Sequence, residues 1–202
     1  MALAPEITVI RGTDTGVGKT VLTALLVRHL RRQCINAAAL KPFSSGSRAD
    51  ARQLRAAQDN ALSLDQINPF HFPEPLAPLV AARKHRRKIS LKRVLEVTRQ
   101  IDCAHLLIEG AGGLLTPLGE NFTLLDIINH LDANLIIVAP NKLGVINHTL
   151  LTLRAANRAT TVVLMRQQKP DPSAKTNFAI LKELIAPLPI VEFPFLNLPK
   201  SR

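Results

Sequence analysis

The 202-residue chain reads as an α/β domain, a mainly parallel β-sheet flanked by helices. Three observations predict this. Short apolar runs alternate with longer amphipathic stretches, as in strand–helix–strand units. The runs are near-continuous in Val, Ile, Leu and Ala, as strands covered on both faces are. No internal repeat and no Gly/Ser linker interrupts the alternation, so one domain over 1–202 is expected at this length.

The first strand is expected at Ile7–Arg11 and the first helix at Gly18–Gln33, where Val21, Leu25, Leu26 and Leu30 share a stripe and Arg28, Arg31 and Arg32 face outward. A strand at Ala37–Leu40 and a helix at Asp50–Gln58 follow. Asn68 to Pro78 holds four prolines in eleven residues. Proline lacks the N–H and fixes φ, so this reads as a loop on a restrained path. A helix at Leu91–Gln100 leads into a strand at His105–Glu109. The pattern then repeats as strand Leu135–Ala139, helix Val145–Asn157, strand Thr161–Met165, helix Thr176–Ile185 and strand Ile190–Phe193.

Charge is the unusual feature of the composition. Lys and Arg number 26 against 15 Asp and Glu, a formal charge of +11, which favours acidic partners: nucleic acid, an anionic membrane or a phosphate-bearing ligand. Seven of the eleven residues from Arg83 to Arg93 are Lys or Arg. No recognised nucleic-acid motif accompanies that run, and with no Trp or Tyr and 7 Phe the chain has little with which to stack bases. The run reads as a solvated face between helices, and no nucleic-acid partner is expected. No stretch of about 18 apolar residues exists to span a membrane. Met1–Ile10, with Pro5 and Glu6, lacks the layout of a secretory signal. Cys34 and Cys103, without a C-x-x-C, make neither a zinc ribbon nor a disulfide framework. Reduced thiols in a cytoplasmic protein are expected.

Gly12-Thr13-Asp14-Thr15-Gly16-Val17-Gly18-Lys19-Thr20 joins the first strand to the first helix. Glycines let successive N–H groups turn inward, and the helix N-terminus adds its positive dipole end; together they cradle phosphates. Lys19 then reaches the β- and γ-phosphates and the Thr20 hydroxyl a Mg²⁺ ion. The first glycine stands one residue earlier than in the strict G-x-x-x-x-G-K-[ST] pattern, but the strand–loop–helix context makes the fold P-loop NTPase-like. Glu109, at the carboxyl end of a strand and followed by Gly110-Ala-Gly-Gly113, belongs on the same sheet edge. Lys41 follows another strand and precedes a hydroxyl-rich turn, Ser44-Ser45-Gly46. Asp50 reads equally as a metal ligand or as an acid in the first turn of its helix.

These segments together resemble the dethiobiotin synthetase family of biotin synthesis. The resemblance is carried by the loop at 12–20, K-P-F-S-S-G at 41–46, N-P-F-H-F-P-E-P-L-A-P at 68–78, E-G-A-G-G-L-L-T-P-L at 109–118 and K-L-G-V-I-N-H-T-L-L-T at 142–152. They occur in the family's order and span nearly the whole chain. The resemblance implies that ATP drives carboxylation and ring closure of 7,8-diaminopelargonic acid with CO₂, through a carbamic–phosphoric anhydride. It implies that Lys19, Lys41 and Thr15 act on the phosphate and carbamate, that Ser45 binds the carbamate, and that Thr20, Asp50 and Glu109 hold Mg²⁺. Gly112 and Gly113 offer amides near the phosphate and diamine, while Leu143, Gly144 and Asn147 grip the substrate carboxylate across a homodimer interface. His148 reads as a first-turn helix residue without chemistry. An Asn that reads adenine usually follows the fifth main strand in this family. Here Arg166-Gln167-Gln168 stands there, so base reading is assigned to Arg166 and Gln167.

Two other readings share the P-loop or the charge: a switch ATPase of the partitioning type, and a basic nucleic-acid-binding module. The partitioning relatives usually carry a signature lysine early in the loop, where this chain has Asp14.

Overall fold

Residues 5–196 are described by a computed structural model. In chain order the elements are β1 (Glu6–Gly12), α1 (Lys19–Arg32), β2 (Ala37–Leu40), β3 (Phe43–Ser45), α2 (Ala49–Ala57), α3 (Leu64–Ile67), β4 (Phe70–Phe72), α4 (Pro78–Lys84) and α5 (Leu91–Arg99). There follow β5 (His105–Glu109), β6 (Pro117–Gly119), β7 (Phe122–Thr123), α6 (Leu124–His130), β8 (Asn134–Pro140), α7 (Val145–Ala156), β9 (Thr160–Met165), a 3-10 turn at Pro172–Lys175, α8 (Asn177–Leu184) and β10 (Ile190–Phe193).

Six strands form one sheet in the order β10-β9-β8-β1-β5-β2, and every neighbouring pair is parallel. Each is the apolar run the sequence predicts, because helices cover both faces and leave no polar side for alternation. The register aligns the carboxyl ends: Ile10 beside Glu109, Leu40 beside Ile108, Gly12 beside Val138 and Pro140 beside Met165. The loops after β1, β2, β5, β8 and β9 therefore emerge along one edge. From β1 the chain builds β2 and β5 on one side, then crosses to β8, β9 and β10 on the other. The loop after β1 thus sits at the switch of winding direction, where open α/β sheets bind ligands.

The core runs through Val9, Ile10, Leu40, Leu106, Ile108 and Ile137, and a second cluster of Val145, Val162, Leu164, Leu181 and Ile185 seats α7 and α8 on the far half of the sheet. Strand β2 is an edge strand, yet its backbone is not left bare. The fully buried Gln58, just past α2, donates from Nε2 to Ala39 O (2.9 Å) and accepts from Ala39 N at Oε1 (3.1 Å). One side-chain amide thus stands in for a strand residue and satisfies both edge groups.

One expectation needs correcting. The segment read as a loop from Asn68 contains β4, which pairs in parallel with β3, itself part of the expected hydroxyl-rich turn. Phe43 and Phe70 stack across this ribbon with ring centroids 5.0 Å apart. Pro73–Ala77 is the loop between β4 and α4, and Pro78 opens α4 at the position where a missing N–H costs nothing. The Lys and Arg side chains of the Arg83–Arg93 run are all exposed, as a solvated face requires. Arg83 makes a two-pronged contact with Glu120 (2.8 Å each), Lys84 and His85 hold Glu74, and Arg87 lies over the Phe72 ring. Among the described residues no helix is long and apolar enough to cross a membrane.

Candidate active site

The loop after β1 is anchored by Thr13 N donating to Val138 O (2.9 Å) and closed by Gly18, which caps α1 in the left-handed region. No acidic residue of α1 itself occupies its first turn, so the helix does not neutralise its own positive end. Lys19 folds back over the loop, its Nζ donating to Asp14 O at 3.0 Å. Burial, and then the neighbouring Lys41, hold the Lys19 pKa below the ordinary lysine range, with Glu109 pulling the other way.

Lys41 emerges from β2 into a polar cluster. Its Nζ lies 2.6 Å from Glu109 Oε1 and 2.9 Å from Asp50 Oδ2, and Thr20 Oγ1 donates to the same Glu109 oxygen at 2.9 Å. Burial alone would lower the Lys41 pKa, but Glu109 and Asp50 outweigh it and hold the ammonium above its usual range. Asp50 satisfies both of its readings, since it is an acid in the first turn of α2 and a partner of Lys41. Thr20, Asp50 and Glu109 therefore meet around one ammonium, although they lie 30 and 59 residues apart in sequence (50 − 20 and 109 − 50).

A residue the sequence reading missed fixes the start of this loop. Asn68 is buried, donates from Nδ2 to Lys41 O (2.7 Å), and accepts from Ser44 Oγ (2.8 Å) and Arg48 Nε (3.1 Å). It precedes the proline-rich stretch, and a polar residue opening an otherwise apolar–proline run was the available signal. Arg48 was missed for a plainer reason: nothing about a lone arginine before a helix distinguishes it.

A cavity of about 670 Å³ opens over this cluster, lined by residues 15–20, Lys41, Ser45, Asp50, Glu109 and Gly112, with Pro75–Pro78 along one wall. Thr15, Gly16, Val17, Gly18, Lys19, Thr20, Lys41, Ser45, Asp50, Glu109 and Gly112 thus line one cavity; Gly12, Thr13 and Asp14 form the loop's base. Two polar atoms here are sealed from solvent and unpartnered among the described residues: Ser45 Oγ and Glu109 Oε2. Such orphans are rare in folded proteins and mark places where something else binds. Gly112 has φ +66°, and a methyl group there would stand 2.6 Å from Thr116 Oγ1. Only glycine fits.

The remaining expected residues lie elsewhere. Arg166 and Gln167 border a separate cavity of about 520 Å³ with Asn141, Lys175 and Glu192. Arg166 pairs with Glu192 at 2.6 Å, Gln167 Nε2 donates to Met165 O, and Asn141 Nδ2 donates to the same Glu192. A methyl group on Gly18 would touch Met165, the residue before Arg166. Gly113 lines a third groove beside Arg11. Leu143, Gly144 and Asn147 are exposed at the start of α7, outside the main cavity, and the Leu143 N–H donates to Asp171 Oδ2 at 2.9 Å. Among the described residues no group of three or more His, Cys, Asp or Glu could hold a metal by itself; the oxygen donors at Lys41 are two carboxylates and a hydroxyl.

Comparison with known proteins adds a chemical context. A family described as an AAA domain matches residues 7–192. The chain is 39% identical over 197 residues to an ATP-dependent dethiobiotin synthetase BioD of Anaeromyxobacter sp. (strain K), covering 92% of this chain and 88% of that protein. It is 41% identical over 149 residues to the protein of the same name from Akkermansia muciniphila, covering 73% and 70%. Among solved structures, a plasmid partition protein of Borrelia burgdorferi B31 bound to AMPPNP superposes with a TM-score of 0.58 at 15% identity, covering 96% of this chain and 89% of that one. That likeness is one of fold, a P-loop NTPase sheet.

Proposed function

The chain belongs to the ATP-dependent dethiobiotin synthetase family, an enzyme of biotin synthesis, and from that premise we propose how its own residues close the ring. The observation that carries the proposal is the cavity in which a P-loop lysine, a carboxylate-held lysine and an unpartnered serine hydroxyl face one space.

One amine of 7,8-diaminopelargonic acid takes up CO₂ as a carbamate and loses a proton. A carbamate oxygen attacks the γ-phosphorus of ATP, and the bond to the β,γ-bridging oxygen breaks to release ADP. The second amine attacks the carbamoyl carbon of the mixed anhydride; the C–O bond to phosphorus breaks, phosphate leaves and the cyclic urea closes. Carbamate and triphosphate repel, so the first requirement is a set of preorganised cations and donors. Lys19 and the opening N–H groups of α1 hold the β- and γ-phosphates, with Thr15 and Gly112 beside the transferring group. Lys41 is held charged by Glu109 and Asp50, so it serves as a fixed positive charge for the carbamate and not as a base. Ser45 Oγ, free of any internal partner, hydrogen-bonds the carbamate, and Arg166 and Gln167 flank the base.

Mg²⁺ fits the oxygen donors present. Thr20, Asp50 and Glu109 supply hard ligands of the kind Mg²⁺ takes alongside phosphate oxygens, and the unpartnered Glu109 Oε2 leaves a lone pair to coordinate it. The ion would neutralise charge on the triphosphate. We further propose a single domain acting as a homodimer, in which Leu143, Gly144, Asn147 and Gly113 contribute to substrate binding; the exposed Leu143 and Leu151 suit a covered surface.

The test is phosphate release from ATP in the presence of both diamine and bicarbonate. Release is expected only when both are present, and Lys19→Ala is expected to abolish it. Hydrolysis indifferent to the diamine, or substantial turnover by the Lys19 variant, contradicts the proposal.

A further inference from the structure

The cavity beyond β9 carries donors that the phosphate chemistry leaves unused. Strands β1, β8 and β9 are consecutive in the sheet, so the loop after β9 emerges two strand spacings, about 10 Å, from the phosphate loop. Met165 ends β9 against that loop, for a methyl group on Gly18 would stand 2.9 Å from its Cε. The backbone pairing runs on past the strands, with Asn141 N donating to Met165 O (2.8 Å) and Arg166 N to Phe193 O (2.9 Å). Arg166, Gln167, Asn141 and Glu192 are thereby fixed around the cavity of about 520 Å³.

These polar side chains divide into engaged and free. Asn141 is buried and fully engaged: Nδ2 donates to Ala174 O (3.1 Å) and Glu192 Oε1 (3.2 Å), and Oδ1 accepts from Asn177 Nδ2 (2.9 Å). Glu192 takes Arg166 Nη2 on its other oxygen at 2.6 Å. That contact pins one arm of the guanidinium, while Nε and Nη1 have no acceptor among the described residues. Gln167 donates from Nε2 to Met165 O (2.9 Å), and its Oε1 has no donor among the described residues. The free groups are therefore a fork of donors and one amide oxygen. On one edge guanine offers two acceptors, N7 and O6, which a guanidinium takes as a bidentate pair; adenine offers N7 and an N6 amine, which a carboxamide matches. Arginine has no acceptor and leaves the N6 amine unanswered. Gln167 Oε1 can accept from that amine, so adenine is received as well.

Resting on the ring-closing function proposed above, we propose that this chain takes guanine nucleotides at least as well as adenine nucleotides, because Arg166 reads O6 and N7 of the base. Glu192 is a positioning residue that holds the guanidinium at the cavity. GTP then serves as phosphoryl donor beside ATP. The bonds made and broken are those of the ATP reaction, with GDP released in place of ADP.

Non-hydrolysable analogues of ATP, GTP and inosine triphosphate are titrated calorimetrically into the full chain, as wild type and as Arg166→Asn, Gln167→Ala and Glu192→Ala. The wild type is expected to bind the guanine analogue at least as tightly as the adenine one. Hypoxanthine keeps O6 and N7 but lacks the 2-amino group, so the inosine analogue should match guanine. Arg166→Asn should shift the guanine-to-adenine ratio by about tenfold or more toward adenine. Glu192→Ala should shift it the same way by less, and Gln167→Ala should weaken the adenine analogue. A wild type that binds adenine more tightly than guanine, or a ratio unmoved in Arg166→Asn, overturns the proposal. Inosine bound more weakly than guanine moves the reading to the 2-amino group, away from Arg166, and also overturns it. So does a shift toward adenine in Gln167→Ala, which makes Gln167 the reader of O6 and N7. Phosphate release from ATP with diamine and bicarbonate, run on the same wild-type preparation, tests the ring-closing function separately from these binding ratios.

Discussion

The Glu109 side chain is completely buried and that of Lys41 nearly so, they pair at 2.6 Å, and Lys41 also pairs with the half-exposed Asp50. Removing the ammonium strands a buried carboxylate. Lys41→Met is therefore expected to cost about 3–5 kcal/mol of stability in urea denaturation and at least about a hundredfold in kcat. Adding Glu109→Gln should recover much of the stability and none of the activity; a Lys41→Met protein as stable as the wild type contradicts this reading. The two lysines also part company with pH. Lys19 has its pKa lowered by burial, so it loses its proton before pH 10.5, whereas Lys41 is held above that value. Affinity for an ATP analogue should fall on the alkaline side with a midpoint below 10.5. The stability Lys41 contributes is fully present below pH 10.5 and is lost only as pH rises through its raised folded value. Calorimetric titration with the analogue across this range checks the first statement; a midpoint at or above 10.5 contradicts it.

At the scale of elements, Pro73–Ala77 is a strap over the cavity tied down by one carboxylate. Glu74 takes Lys84 Nζ at 2.9 Å and His85 Nε2 at 2.7 Å, which pins the strap to the end of α4, and those contacts, His85 first, hold its pKa at about 2. Because the folded value is depressed, the tether is intact above about pH 4.5 and is lost as pH falls through about 2. Glu74→Gln is expected to speed amide exchange at Leu76 and Ala77 at neutral pH; unchanged exchange would mean that the prolines alone hold the strap. This strap also shows where sequence reading stops. Helices such as α1 and α7 and the phosphate loop were legible because periodicity or motif runs over nine or more residues. The ribbon β3–β4, the hairpin β6–β7 and α3 are two to four residues each, too short to display a period, and they exist because neighbours such as Asn68 and the Phe43–Phe70 stack hold them.

Across the whole molecule, the six main strands were readable because a two-faced parallel sheet demands uninterrupted apolar runs. Their order was not, since it depends on which helices cover which face. That order brings residues 12–20, Lys41, Glu109 and Arg166 to one edge. Residue types and family motifs indicated most of the candidate site, but not the pairing of Lys41 with both carboxylates, nor Asn68. The formal charge of +11 is likewise partly accounted for locally: Arg83, Lys84 and Arg166 answer Glu120, Glu74 and Glu192, while Lys19 and Lys41 line the cavity proposed for the anionic reactants.

The central claim is that a carbamate oxygen ends up on phosphorus before the ring closes. Turnover of ATP and 7,8-diaminopelargonic acid in ¹⁸O-labelled bicarbonate, kept short against exchange with water, measures it directly by mass spectrometry of the products. The account predicts one ¹⁸O in the released phosphate, formed in step with dethiobiotin. Unlabelled phosphate released alongside dethiobiotin would contradict it.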